Sequence, residues 1–312
     1  MASLTLLGPQ RLEPILRPEL DRLAVDGQVA TITAGWQERE GEIDELREHL
    51  GRPLVDLRLH SRCEDVFARD PELFRAHRAR QDRLQAVQRL YRYRLDFVLE
   101  PARELMRRGE DEADIIDQAR ASAIEAIRNL DREHLQRLAE VHEEFQRAWQ
   151  PARRQAVAEH REQLSEILAG SRAVAIAGGH VAVLLNRMRL FSVLPLFDNL
   201  PIFAWSAGAM ALGERVILFH DSPPQGAGNP EVLDAGLGLY RGLVPLPHAR
   251  KRLQLQDPVR VSLFARRFSP DTCVVLDERC SVSRGDTGFG WQRGSGTLQL
   301  TTDGRLEPLE SR

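Results

Sequence analysis

The stretch NLPIFAWSAGAMALGERVILFHDSPP, Asn199 to Pro224, sets an apolar run against a string of tiny residues, with one serine, Ser206, at the join. PIFAW has the length and the aromatic and β-branched content of a buried strand, and AGAMALGE reads as a short helix. RVILFHD reads as a second strand. Strand, turn, helix, strand is the rhythm of a parallel sheet covered by helices. A serine at such a junction either caps the helix or is a nucleophile lifted on a cramped turn. The second role demands small residues two before and two after. Ala204 and Gly208 satisfy it, with Ala207 and Ala209 also small, although Ala204 departs from the common G-x-S-x-G form.

The same texture extends in both directions. Upstream, RAVAIAGGH is a strand ending in two glycines, and VAVLLNRMRLF is a helix. Further back, LTLLG, QVATITAG and PLVDLRLH read as strands, with a helix in EREGEIDELREHLG that stops at Gly51. Downstream, VRVSLFARRF is helical or mixed, and TCVVLDERCSVSRG reads as two strands around a turn. GTLQLTTDGRLEPL looks like a terminal hairpin turning at Asp303-Gly304.

Between these parts the rhythm breaks. Apolar residues recur at three and four from Leu84 through Tyr91, Leu95, Ala102 and Leu105, then from Ile116 through Ile127, Leu138 and Phe145, up to Pro151. This predicts a long antiparallel helical hairpin with a third helical piece returning to the sheet. The expected organisation is one α/β domain, its mostly parallel sheet flanked by helices. It is split into residues 1–61 and 171–312 by a helical insertion, arm or lid, over 62–170, and it ends in a β-hairpin. The insertion's mixed arginines and glutamates read as solvated faces, with homo-oligomer contact or cover for a site as the functional alternatives.

Bulk properties narrow the function. The chain has 312 residues and a formal net charge of −3, which does not favour nucleic acid or an anionic membrane as partner. Tyr91 and Tyr93 with flanking arginines suggest base stacking only weakly, because acids alternate with the bases. Cys63, Cys273 and Cys280 have neither metal-like spacing nor a disulfide framework, and reduced thiols of a cytoplasmic protein fit them. No apolar run is long enough to span a membrane, and the first residues lack the pattern of a signal peptide.

A serine nucleophile needs a base and a group that orients the base. His180, His220 and His248 lie near apparent strand ends, where α/β sheets place site residues, whereas the other histidines fall in the first region or the insertion. Asp221 and Glu278 are carboxylates at strand ends. Trp36 and Gln37 follow the TITAG strand and would face the same sheet edge as candidate pocket residues.

FAWSAGAMAL, with AIAGGHVAVLLNRM before it and DAGLGLYRGLVPLPHARKRL and VVLDE after it, resembles the S51 serine peptidases. These form the dipeptidase E and cyanophycinase group, on a fold related to class I glutamine amidotransferases. The resemblance covers 171–312 well and the TITAG strand loosely. It implies Ser206 as nucleophile, His248 as base and Asp221 as the acidic partner, with Glu278 in reserve. The backbone amides of Gly179, in the Gly178-Gly179-His180 turn, and Ala207 would form the oxyanion hole. His180 stands where relatives carry an amide side chain, and HARKRL compresses the spaced arginines of cyanophycinases. The chemistry implied is hydrolysis of an amide in a small peptide or peptide-like substrate through an acyl-enzyme, with no metal or organic cofactor. The alternative is a non-catalytic relative that binds a small ligand or protein partner, with the insertion as interaction element.

Overall fold

The computed structural model describes residues 3–108, 113–220, 228–285, 290–294 and 296–310. Short runs that are apolar on both faces can be buried only in a parallel sheet covered on both sides. β1 (Leu4–Leu7), β2 (Val29–Ile32), β3 (Leu54–Asp56), β4 (Ala173–Ile176) and β5 (Ile202–Trp205) form it, parallel in the order β1-β5-β4-β2-β3. Every residue of β1, β2, β4 and β5 is buried. Successive side chains go to opposite faces. Leu6, Ile32, Ile176 and Ala204 join one core cluster, while Leu7, Ala175, Phe203 and Trp205 join another.

The C-terminal part departs from a simple continuation. β6 (Arg215–Leu218) and β7 (Glu231–Ala235) make a separate antiparallel ribbon. β8 (Leu243–Pro247) and β9 (Thr272–Leu276) pair in parallel in a second sheet. β10 (Ser281–Arg284) then crosses to the main sheet and runs antiparallel beside β1, with β11 (Gln292–Arg293) beyond it. The two strands read around a turn at Asp277–Cys280 therefore join different sheets rather than each other. Close packing at the end of β1 goes with the crossing: Gly8 N–H donates to Cys280 O at 2.8 Å, and a side chain on Gly8 would overlap the Asp277 carbonyl. β12 (Leu298–Leu300) and β13 (Leu306–Pro308) form the terminal hairpin, which completes the second sheet as β13-β12-β9-β8. Its loop is wider than a two-residue turn. Thr301 and Arg305 close it, Thr301 N–H donating to Arg305 O at 2.9 Å, with Gly304 at φ 88°.

Helices cover both faces. α1 (Leu16–Arg22) and α2 (Asp44–Leu50) bury Leu16, Leu20, Leu46 and Leu50 against one face. α2 stops where Gly51 takes the left-handed conformation, φ 59°. α1 was not expected from the sequence pattern. On the other face, α3 (Leu59–Arg69) leads into two 37-residue helices, α4 (Pro71–Arg107) and α5 (Ala113–Trp149). Asp70 caps α4 by accepting from Leu73 N–H at 3.0 Å, and Arg154 braces the same carboxylate at 2.6 Å. α6 (Gln155–Ala169) returns to β4.

α4 and α5 are antiparallel, as the Arg83–Glu144 and Arg94–Glu133 contacts require. The hairpin is docked along the body. Arg267, on the buried face of a later helix over Pro258–Phe268, donates to both Asp131 oxygens at 2.6 and 2.7 Å, to Tyr91 Oη and to the Pro230 carbonyl. Tyr91 is buried in this cluster and stacked on His134 at 3.9 Å between centroids, so it is unavailable to stack on a base. All three cysteines are buried and free. No described helix is long and apolar enough to cross a membrane.

Candidate active site

The parallel strands all point the same way, so their C-terminal ends gather the following loops on one edge. Pro9 to Arg11 after β1, Gly35 and Trp36 after β2, Gly178 to Ala182 after β4 and Ser206 after β5 line one cavity of about 860 Å³. The end of β8 adds Pro247, His248 and Arg252. No described residue of 62–170 is among those lining it.

Ser206 joins β5 to α8 (Ala207–Leu212) at φ 51° and ψ −122°, a conformation costly for a residue with a side chain. Its hydroxyl makes no cap hydrogen bond to α8 and instead lies 3.4 Å from His248 Nε2. The small neighbours now have a cause. A Cβ on Gly208 would sit 2.4 Å from the Ile176 carbonyl oxygen, and one on Gly178 would sit 2.7 Å from the Ser206 Cβ. The turn is held this tightly because β4 and β5 are adjacent, Ile176 pairing with Ala204.

His248 occupies the matching position at the end of β8, left-handed at φ 57°, ahead of the single-turn helix α9 (Ala249–Arg252). Backbone N–H groups tie that turn to the end of β9. His248 N–H donates to Leu276 O at 3.3 Å, and Arg250 N–H donates to the buried Asp277 carboxylate at 3.4 Å. Burial pushes the His248 imidazole below its ordinary pKa. The nearby Arg252 guanidinium pushes the same way, and Glu278 opposes both. Both effects favour the neutral imidazole, the state a general base needs. Glu278 itself is taken by Lys251, the chain's single lysine, whose Nζ donates to it at 2.9 Å. It makes no hydrogen bond to His248, and Asp221 lies outside the described residues.

Opposite Ser206, two glycine turns interlock. His180 N–H donates to Gly35 O at 2.7 Å. Gly179, at φ 108°, approaches Gly35 so closely that a Cβ would lie 2.4 Å from that oxygen. A Cβ on Gly178 would also come within 3.5 Å of the Ala207 nitrogen, so this turn and the start of α8 share one small space. Ala207 is the first residue of α8, and its N–H has no intrahelical acceptor. The exposed His180 ring acts locally, its Nδ1 capping α7 (Val181–Leu190) by accepting from Val183 N–H at 3.3 Å.

Trp36 lines the cavity, but Gln37 does not. Gln37 instead takes φ 59° and ψ −124°, nearly the backbone angles of Ser206, where the loop after β2 kinks. Beneath it Thr33 Oγ1 lies 3.0 Å from both the Glu40 carbonyl and the Asp56 carboxylate. Burial is the main cause that raises the Asp56 pKa to about 6. Arg252 and Asp277 were not singled out in the sequence. Arg252 sits four residues after the histidine, in reach of the same turn, and Asp277 immediately precedes the Glu278 that was. Among the described residues no cluster of histidine, cysteine and carboxylate side chains could hold a metal ion.

No protein-family model matches the chain, and no curated protein matches it in sequence. Among solved structures it is similar to a peptidase from an acI-B1 Actinobacterium, at TM-score 0.52 and 13% identity, covering 100% of this chain and 96% of that one. A Listeria monocytogenes EGD-e protein named for peptidase E aligns at TM-score 0.41 and 10% identity over 99% of this chain and 100% of its own. Over its whole length, then, the chain has the fold of the actinobacterial peptidase.

Proposed function

We propose that the protein is a serine hydrolase of the S51 type that cleaves an amide bond in a small peptide or peptide-like substrate through an acyl-enzyme. One observation carries this reading: Ser206 is held in a strained turn, free of any capping bond, with its hydroxyl 3.4 Å from a neutral-leaning imidazole. A helix cap would need neither the strain nor the histidine. Catalytic contacts of this kind are often long before substrate binds.

In this mechanism His248 Nε2 takes the Ser206 proton as Oγ attacks the substrate carbonyl carbon. The N–H groups of Gly179 and Ala207 receive the oxyanion, a contribution of about 3–4 kcal/mol for each donor. The tetrahedral intermediate collapses, the C–N bond breaks, and His248 protonates the leaving amine. Water, deprotonated by the same imidazole, then releases the acyl group and regenerates Ser206. Asp221 is assigned the role of orienting the imidazole on the strength of the S51 resemblance. Arg252, half-buried beside His248 with no ion-pair partner among the described residues, favours substrates with a carboxylate near the scissile bond. Its positive charge lowers the energy of that group in the cavity.

The test is turnover of a library of di- and tripeptides by the whole protein, read by the release of new amino groups. Hydrolysis that Ser206→Ala abolishes supports the reading. Turnover unaffected by that change, or none for any member by protein shown to be folded, counts against it.

A further inference from the structure

The outward face of α4 carries an apolar stripe. Leu90, Tyr93 and Phe97 are 62%, 67% and 65% exposed, and the Tyr93 and Phe97 rings meet at 5.1 Å between centroids. Single exposed apolar side chains are ordinary, but these are aligned. With Ala86 they follow the four-three-four spacing that places residues on one seam of a helix. The opposite face, through Leu84, Tyr91, Leu95 and Leu99, is buried within the protein. α4 is therefore apolar on two sides, and the described residues of the chain cover only one of them.

We propose that the stripe is the contact between two copies of this chain, their α4 helices packed antiparallel about a two-fold axis between Tyr91 and Arg92. Such an axis sets Leu90 against the partner's Tyr93 and Ala86 against the partner's Phe97, and it brings Arg83, paired with Glu144 in its own chain, level with the partner's Glu100, itself 3.6 Å from Arg103. Small meets large, and cation meets anion. On the flank, Arg89, which has no ion-pair partner among the described residues, comes beside the partner's Asp96. Every contact occurs twice, as an isologous interface requires. A parallel pairing would stack Arg83 on Arg83 and Glu100 on Glu100, and would bring Arg89 beside Arg94. A membrane surface is disfavoured, because exposed Asp82, Asp96, Glu100 and Glu104 are interspersed along the stripe with Arg83, Arg89 and Arg94 and leave no net positive charge to meet anionic lipid. From Arg83 to Glu100 the seam runs about 27 Å. That is a small interface, and it predicts dimerisation in the micromolar range rather than an obligate dimer.

The experiment is sedimentation velocity of the full chain from about 1 to 200 μM, a range that brackets such an affinity. Wild type should pass from monomer to dimer as concentration rises, and Phe97→Glu should stay monomeric throughout. Arg89→Glu and Asp96→Arg should each weaken the dimer by about tenfold or more, and the double variant should recover wild-type association. All three positions are exposed on the surface of α4, and circular dichroism should show an unchanged fold. A wild type that stays monomeric, a dimer indifferent to Phe97→Glu, or a double variant no better than the singles would overturn the proposal. So would phosphatidylserine vesicles that bind wild type but not Phe97→Glu, in the absence of self-association.

Discussion

Ser206 and His248, 42 residues apart in sequence and at the ends of strands in different sheets, face each other at 3.4 Å from two backbone positions of positive φ, 51° and 57°. Each such residue costs about 1–3 kcal/mol that surrounding structure must offset. Glycine adopts φ above zero freely and would relieve the cost.

Ser206→Gly should therefore be inactive and yet more stable than wild type, by about 1 kcal/mol once the greater freedom of the unfolded glycine is counted. Urea unfolding checks this. A glycine variant less stable than wild type would mean that the serine is there for packing.

The pH dependence follows from the charges around the imidazole. A general base works when neutral, so activity should rise with pH through the His248 pKa and level off above it. Burial and Arg252 hold that pKa below the ordinary histidine value, which places the midpoint on the acid side of about 6.5. Arg252→Gln removes a cation and should move the midpoint up. Glu278→Gln removes the opposing anion and should move it further down. The profile of kcat/KM for the three proteins checks both signs. A common midpoint would show that another group governs the acid limb.

The insertion is tied to the α/β body by a buried ion pair. Arg267 and Asp131 are nearly fully enclosed, and each satisfies the other with Tyr91 and the Pro230 carbonyl. Removing one partner strands a buried charge, which typically costs about 3–5 kcal/mol. Asp131→Ala should lower stability by about that amount in thermal or urea melts. The exposed pair Arg132–Glu125 should contribute less than about 1 kcal/mol when broken by Glu125→Ala. Similar losses for the two would show the hairpin to be loosely attached.

Much of the fold was legible because local pattern and tertiary environment agree. Four apolar runs with glycine or serine ends could only be buried parallel strands, and the insertion's spacing and Pro151 marked its long helices. What escaped depends on partners far away in sequence. Nothing local in TCVVLDERCSV says that its two halves pair with β8 and β1 instead of with each other. α1 has only Leu16 and Leu20 as a buried pair, too little for a periodic signal. At the site, Ser206, Gly178 and Gly208 were readable because backbone crowding admits only small residues there. Asp277 and Arg252 were not, since what they do follows from how the β8 and β9 ends come together. The Lys251–Glu278 hydrogen bond depends on the same junction.

The most direct measurement is labelling by a fluorophosphonate, with mass spectrometry of the modified peptide. An activated nucleophile predicts one adduct, on Ser206. It should be absent in Ser206→Ala and slowed by on the order of a hundredfold or more in His248→Ala. Protein with native melting behaviour that gives no adduct, or an adduct on another residue that survives Ser206→Ala, would contradict the assignment and leave Ser206 as a strained turn residue without chemistry.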